Sequence, residues 1–299
     1  MGHSRSLIFI PGNNHRFLEK SKTIDSDIIC FDLEDSVPLE EKETARNLVS
    51  KTIKEINKMG QYVKKTLISV RINAPDSALA MEDLKKIIVE GIDVIVVPKI
   101  ETRDQIIKIS NLMKTLEKEN NIQNNFIKLI PSIESALGVV NAYSIAKADQ
   151  RISSLVFGIF DFLHDMKIDN NDDEILTGYM YARAKVPVDA RAAGVDSIDS
   201  IWQSVDDKDG LEKDLKFGKK LGYTGKCIIH PSQINSTHRV YNPSEQDIDW
   251  AKKVISALDR SKNETITTTK TGAINLEGKM IDAVHYKQAK RILESANNP

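Results

Sequence analysis

Two cysteines are all that the 299-residue chain contains, and Cys30 and Cys227 each sit inside an apolar run (DIICFDL and GKCIIH) with no CxxC or Cys–His spacing nearby. A disulfide framework and a thiolate metal site are therefore not expected, and both residues read as buried small hydrophobes of strands. No apolar run approaches the 18 or so residues that a spanning helix needs. The first residues, Met1 to Ser6, lead straight into one short apolar strand and not into a signal peptide, so a cytoplasmic location is expected. Charge of one sign is also lacking: 42 Lys+Arg face 43 Asp+Glu, a formal net charge of −1. Without a global positive field, nucleic acid and anionic membranes are not expected partners, and any basic pocket must be local. Neither GxGxxG nor GxxxxGK[ST] occurs, which removes the usual glycine-rich phosphate loops.

What is present is a series of short apolar runs: SLIFI (6–10), DIICFDL (27–33), TLISVRI (66–72), DVIVVPKI (93–100), FIKLIPSI (126–133), SSLVFGI (153–159), SIDSIW (197–202) and KCIIHP (226–231). Most are continuous and rich in β-branched residues, as strands buried on both faces of a parallel sheet are. The seventh, polar and short, carries the weakest strand signal. Helix-like stretches at 38–57, 77–91, 103–120, 136–148 and 210–222 fill most of the gaps. Alternation over about 230 residues predicts an α/β fold, a (β/α)8 TIM barrel, better than an open doubly wound sheet. Residues 1–240 form the expected barrel domain. Residues 241–299 form a C-terminal helical and hairpin extension: a helix opening at Ser244, a Thr-rich arm, and a last helix AVHYKQAKRILESA.

A barrel keeps its active site at the carboxyl ends of its strands. Those ends are charged here: Asp32, Glu34 and Asp35; Arg71 and Asn73; Lys99; Glu134; Asp161; His230. Glu134 and Asp161 end consecutive strands, which lie about 4.8 Å apart, so their carboxylates can converge on one ion. Two hard oxygen ligands without His or Cys favour Mg²⁺ or Mn²⁺, with positions left for substrate oxygens. Structural ion pairing along the rim is the alternative. Arg71 and Asn73, two apart on a strand, face the same way; the guanidinium suits a substrate carboxylate, or pairs with Asp32 or Glu34. Asp32 and Glu34 read as residues that orient Arg71 or the metal's waters. Lys99 reads as an ion-pair partner, with a Schiff-base role as the minor alternative. His164 reads as a capping or solvated residue and His230 as a backbone partner or pocket wall. The PGNN turn at 11–14 is either a plain βα turn or a phosphate-binding one.

The runs RSLIFIPGNNHRFLEKS, CFDLEDSVPLEEKETAR, VRIN, VVPKIE, PSIESALG, FGIFDF, LGYTGKCIIHPSQI and GKMID occur in the order and spacing of citrate lyase β-subunit-like proteins of the HpcH/HpaI aldolase superfamily, which this chain resembles over nearly its whole length. The resemblance implies a TIM barrel whose Mg²⁺ is held by Glu134 and Asp161, with Arg71 on the substrate carboxylate and Asp282 as acid/base, entering from a neighbouring subunit of a trimer. It implies cleavage or formation of a carbon–carbon bond between an acetyl or propionyl thioester and a 2-oxo acid. A malyl-CoA or citramalyl-CoA lyase is the first expectation. A citrate lyase β subunit acting on an acyl carrier protein thioester is the second, and a noncatalytic acyl-CoA-binding scaffold the third. One departure is that HDMKIDNNDDE stands where many relatives turn at a DLG, which bears on substrate size.

Overall fold

Each of the eight apolar runs becomes a strand. The computed structural model describes residues 4–59, 66–168, 179–264 and 273–297. In chain order they form β1 (Ser6–Pro11), α1 (His15–Ser21), β2 (Ile28–Asp32), α2 (Lys42–Met59), β3 (Leu67–Arg71), α3 (Ala78–Ile87), β4 (Val94–Val97), α4 (Arg103–Glu119), β5 (Lys128–Ile133), α5 (Ala136–Ala146), β6 (Ser154–Phe157), α6 (Ile159–Asp165), α7 (Met180–Ala193), β7 (Asp196–Asp199), α8 (Lys208–Leu221) and β8 (Gly225–Ile228). Every neighbouring pair is parallel, and β8 closes on β1 with Leu7 opposite Cys227. The result is a (β/α)8 barrel. Its interior is filled by side chains such as Leu7, Cys30, Val96, Ile130, Ile198 and Cys227. Helices cover the outer face, so both faces are dry and the strands need no polar alternation.

Local chemistry sets where the helices begin. Asn14, Ser77, Thr102, Ser135 and Asp207 each accept a backbone N–H in the first turn of α1, α3, α4, α5 and α8. Such caps satisfy donors that helix ends leave unpaired. Thr102 forms a reciprocal box with Gln105. The polar seventh strand has an equally local cause. Ile198 points into the barrel, while Asp199 faces outward and forms ion pairs with Arg183 of α7 and Lys226 of β8, both of which also reach Asp214 of α8. The whole group is buried or nearly so, so each charge needs its partners. The sequence reading placed no helix between the sixth and seventh strands, yet α7 runs there with Pro187 inside it. Pro187 has no N–H for the carbonyl of Arg183, and the Tyr223 hydroxyl donates to that oxygen instead at 2.8 Å.

After β8 comes α9 (Ile234–Tyr241), and the chain divides into two compact units at 237/238. The second unit holds α10 (Glu245–Glu264), β9 (Ala273–Leu276), β10 (Lys279–Asp282) and α11 (Ala283–Asn297). Ser244 and Asp247 cap α10 reciprocally. Ala251, Val254 and Leu258 pack with Ile281 and Ala289 as its core. β9 and β10 are antiparallel around Glu277 and Gly278, both at positive φ, a turn whose twist matches the strands it joins. Most of the Thr-rich stretch and much of HDMKIDNNDDE lie outside the described residues. No helix among the described residues is long and apolar enough to cross a membrane.

Candidate active site

A cavity of about 370 Å³ opens at the carboxyl ends of the strands. Asp32, Arg71, Glu134 and Asp161 line it together, opposite an apolar wall that includes Phe9, Phe157 and Ile229.

Arg71 ends β3 beside Asp32, which ends β2, because the two are direct partners in the strand register. Its Nε and Nη2 donate to the two oxygens of Asp32, each at 2.7 Å, and Nη1 lies 3.0 Å from Glu34 Oε2. The guanidinium also lies over the Phe9 ring, 4.8 Å from its centre. Burial alone would raise the Asp32 pKa. The charge and hydrogen bonds of Arg71, with hydrogen bonds from the Ser36 side chain and the Glu34 N–H, outweigh it and hold the carboxyl below its ordinary value. Burial also raises Glu34, and there it prevails over Arg71 and Lys99.

Glu134 follows β5 directly and is buried. Its Oε2 accepts the backbone N–H of Lys99 at 2.9 Å. Desolvation, helped by the nearby charges of Glu34 and Asp161 and opposed by Arg71, pushes its pKa up to about 8. Lys99 is one of the few non-glycine residues with positive φ, at 53°. That conformation costs on the order of 1 kcal/mol or more and persists only where surroundings hold it. Here its N–H grips Glu134 while its ammonium lies 2.8 Å from Glu34 and 3.7 Å from Asp161.

Gly158 is a site residue that the sequence reading did not single out, although it stands in the quoted FGIFDF run. A Cβ there would land on the Glu134 side chain, 2.8 Å from Oε1. Only glycine leaves the carboxylate where it is. Gly158→Ala is expected to displace Glu134 and weaken divalent-metal affinity at least about tenfold while moving Tm by only a few degrees. Titration with Mn²⁺ beside a thermal melt checks this; unchanged affinity would show that the close approach does not matter. Ser200 is a second missed residue: its hydroxyl accepts the N–H of Ile159, satisfying the first turn of α6 where no side-chain cap exists.

Several sequence expectations need correction. Asp161 does not end a strand: β6 stops at Phe157, and Asp161 lies in the first turn of α6. It reaches the cavity because that helix starts immediately after Gly158. Asn73 does not share the face of Arg71. β3 ends at Arg71, so two-residue alternation no longer applies, and Asn73 is buried with its backbone N–H and Nδ2 both donating to Asp83 Oδ2. It is absent from the cavity wall. His230 caps the turn that follows it, its Nδ1 accepting from Ser232 N–H, and His164 is exposed at the end of α6. Cys227 lines the cavity, and burial drives its thiol up, as it drives Cys30 up to about 12. Neither is a ready nucleophile. Asp282 belongs to the second unit, at the junction of β10 and α11.

The rim chemistry fits a divalent cation. Asp32, Glu34, Asp35, Glu134 and Asp161 crowd one mouth against two cations, Arg71 and Lys99. Such an excess of carboxylate is unfavourable unless a cation offsets it, and the charges of Glu34 and Asp161 add to the desolvation that raises Glu134. The donors are hard oxygens, which suit Mg²⁺ or Mn²⁺. No group of three His, Cys, Asp or Glu side chains is disposed around one point among the described residues, and Glu134 and Asp161 both line the cavity.

Comparison with known proteins places the chain in a family. The profile of the family described as HpcH/HpaI aldolase/citrate lyase matches residues 5–231. The citrate lyase subunit beta of Leuconostoc mesenteroides subsp. cremoris is 35% identical over 295 residues, 98% of this chain and 93% of that protein. The mitochondrial citramalyl-CoA lyase of Homo sapiens is 28% identical, covering 98% of this chain and 86% of that one. The structure of CitE from Mycobacterium tuberculosis in complex with magnesium, acetoacetate and coenzyme A superposes over 99% of this chain and 98% of that one, with a TM-score of 0.78 at 24% identity. The chain belongs to the HpcH/HpaI aldolase/citrate lyase family and is a lyase acting on a carbon–carbon bond.

Proposed function

We propose that the chain is a Mg²⁺-dependent lyase that cleaves a citryl thioester into an acetyl thioester and oxaloacetate. The observation that carries this reading is the convergence of Glu134, Asp161 and Arg71 on one cavity. The choice of citryl over the malyl-CoA or citramalyl-CoA expected from the sequence rests on relatives: 35% identity to a citrate lyase β subunit against 28% to a citramalyl-CoA lyase. Coenzyme A and an acyl carrier protein are both candidate carriers.

A divalent ion held by Glu134 and Asp161 would supply Lewis-acid stabilisation to the oxygen charge that develops beside the breaking bond. Arg71, fixed by its two hydrogen bonds to Asp32, holds the carboxylate of the 2-oxo acid half and keeps the bond aligned. As Asp282 takes the hydroxyl proton, the electron pair of the carbon–carbon bond passes into the thioester half as an enolate and the hydroxyl carbon becomes the carbonyl of the 2-oxo acid. Asp282 returns a proton to the enolate carbon, and in the reverse direction removes one from the acetyl methyl. The buried apolar wall excludes water from that carbon.

In this reading the protein is a trimer in which Asp282 acts at a neighbour's cavity. Met280, Asp282 and Val284 support it: the two apolar side chains are each 69% exposed on either side of the carboxylate, a surface that gains by being covered. A citramalyl or malyl substrate has one observation in its favour. Arg71 is the only cationic side chain on the cavity wall among the described residues, and a citryl group brings one more carboxylate.

Purified protein with Mg²⁺ and a panel of citryl, citramalyl and malyl thioesters of coenzyme A and of acyl carrier protein separates these readings by the acid released. Oxaloacetate as the fastest product, abolished by EDTA, is the expected result. Pyruvate or glyoxylate would move the assignment to the other lyases, and full activity in EDTA would reject the metal reading.

A further inference from the structure

The junction of β10 and α11 holds Asp282 in an unusual way. All the described hydrogen bonds of its side chain converge on one oxygen. Oδ1 accepts the N–H of Val284 at 2.9 Å, the N–H of His285 at 3.4 Å, and lies 2.8 Å from Nδ1 of His285. An ionised carboxylate only accepts, so in the shorter, 2.8 Å contact Nδ1 carries the hydrogen, in preference to accepting the Asp282 backbone N–H that lies 3.2 Å from it. Oδ2 has no hydrogen-bond partner among the described residues. The hydrogen bond from His285 is also the largest influence holding the Asp282 carboxyl below its ordinary value, ahead of the two backbone donors. The backbone makes the pairing possible. Asp282 is the last residue of β10 and sits where a capping residue of α11 would be, and His285 follows three residues later, on the same face of the first turn. Both side chains are 35% exposed, so the pair is not a buried structural contact.

A residue that exchanges a proton with carbon needs one oxygen free and its carboxylate plane fixed. If both oxygens were held, none could reach the methyl group; with neither held, the carboxyl would rotate. We propose that His285 is a positioning residue for Asp282, anchoring Oδ1 so that Oδ2 is the oxygen presented for proton transfer. In thioester enolisation a methyl C–H bond breaks, its proton goes to Oδ2 and its electron pair enters the enolate; in cleavage the same O–H returns the proton to carbon. His285 itself gains and loses nothing in either direction. The inference rests on the reading of Asp282 as the acid/base.

The test uses full-length protein and the thioester cleaved fastest in the panel above, with Asp282→Ala, His285→Ala and His285→Asn compared with the original. The amide Nδ2 of asparagine lies close to the place of Nδ1 in histidine. His285→Ala is expected to lower kcat roughly 10- to 100-fold, the cost of a misaligned reacting group, with KM within about twofold. Its solvent deuterium isotope effect on kcat should rise as proton transfer becomes limiting, and His285→Asn should recover most of the rate. Unchanged kcat in His285→Ala, beside an inactive Asp282→Ala, would overturn this inference and leave the acid/base reading standing. Full activity in Asp282→Ala would overturn both. Parallel losses of kcat, substrate affinity and Tm in His285→Ala, not rescued by asparagine, would reduce the residue to a structural role and overturn the proposal as well. Should His285→Ala fail to fold, His285→Phe against His285→Asn gives the same comparison.

Discussion

Glu134→Gln is expected to abolish Mg²⁺-dependent cleavage, by at least about a thousandfold in kcat, because it replaces a buried carboxylate proposed to hold the metal with a poorer neutral ligand. Asp161→Asn should act in the same direction. Steady-state rates over a Mg²⁺ titration check both, and a variant restored fully by excess metal would show that the side chain sets affinity and not chemistry. The same residue makes a pH-dependent stability prediction. Its carboxyl is raised from 4.5 to about 8, so the folded chain retains a proton that the unfolded chain releases. The stabilisation is complete below about 4.5 and is lost as pH rises towards 8. Tm of the metal-free protein should therefore fall across that window, with Glu34 acting in the same sense. Asp32, whose carboxyl is lowered, keeps its contribution throughout. Added Mg²⁺ should recover more Tm at pH 8 than at pH 6, since binding no longer has to expel the proton. Glu134→Gln should flatten both trends. A Tm profile unaltered by the substitution would contradict the raised carboxyl.

Asp282→Ala is expected to lose turnover by about a hundredfold or more with little change in substrate affinity. The stronger result comes from mixing. Glu134→Gln and Asp282→Ala are each inactive alone, but if Asp282 serves a neighbouring cavity, co-refolded mixed oligomers contain some cavities with both residues intact. Random assembly from equal parts gives about a quarter of the original activity. If Asp282 served its own cavity, the mixture would stay inactive, because no single chain carries both residues.

Much of the barrel was legible because its strands are dry on both faces, and a dry strand announces itself as an unbroken apolar run such as DIICFDL or DVIVVPKI. β7 gave a faint signal for the opposite reason: Asp199 is buried outside the barrel, stabilised by Arg183 and Lys226, and that pairing is invisible in one dimension. α7 was hidden by Pro187, whose missing N–H the sequence cannot show to be offset by Tyr223. At the site, strand ends were a good guide to Asp32, Arg71 and Glu134, which stand within one residue of them. They misplaced Asn73, because alternation ends with the strand, and Asp161, because a helix follows β6 so closely. The left-handed Lys99 and the close approach of Gly158 to Glu134 are three-dimensional facts with no periodic trace.

Mn²⁺ binding to the metal-free protein, followed by electron paramagnetic resonance, tests most directly whether Glu134 and Asp161 form one ion site. The account predicts a single site per chain, tightened by oxaloacetate or pyruvate and lost in Glu134→Gln/Asp161→Asn with the fold intact. Equal Mn²⁺ affinity in the original and the double variant would contradict it.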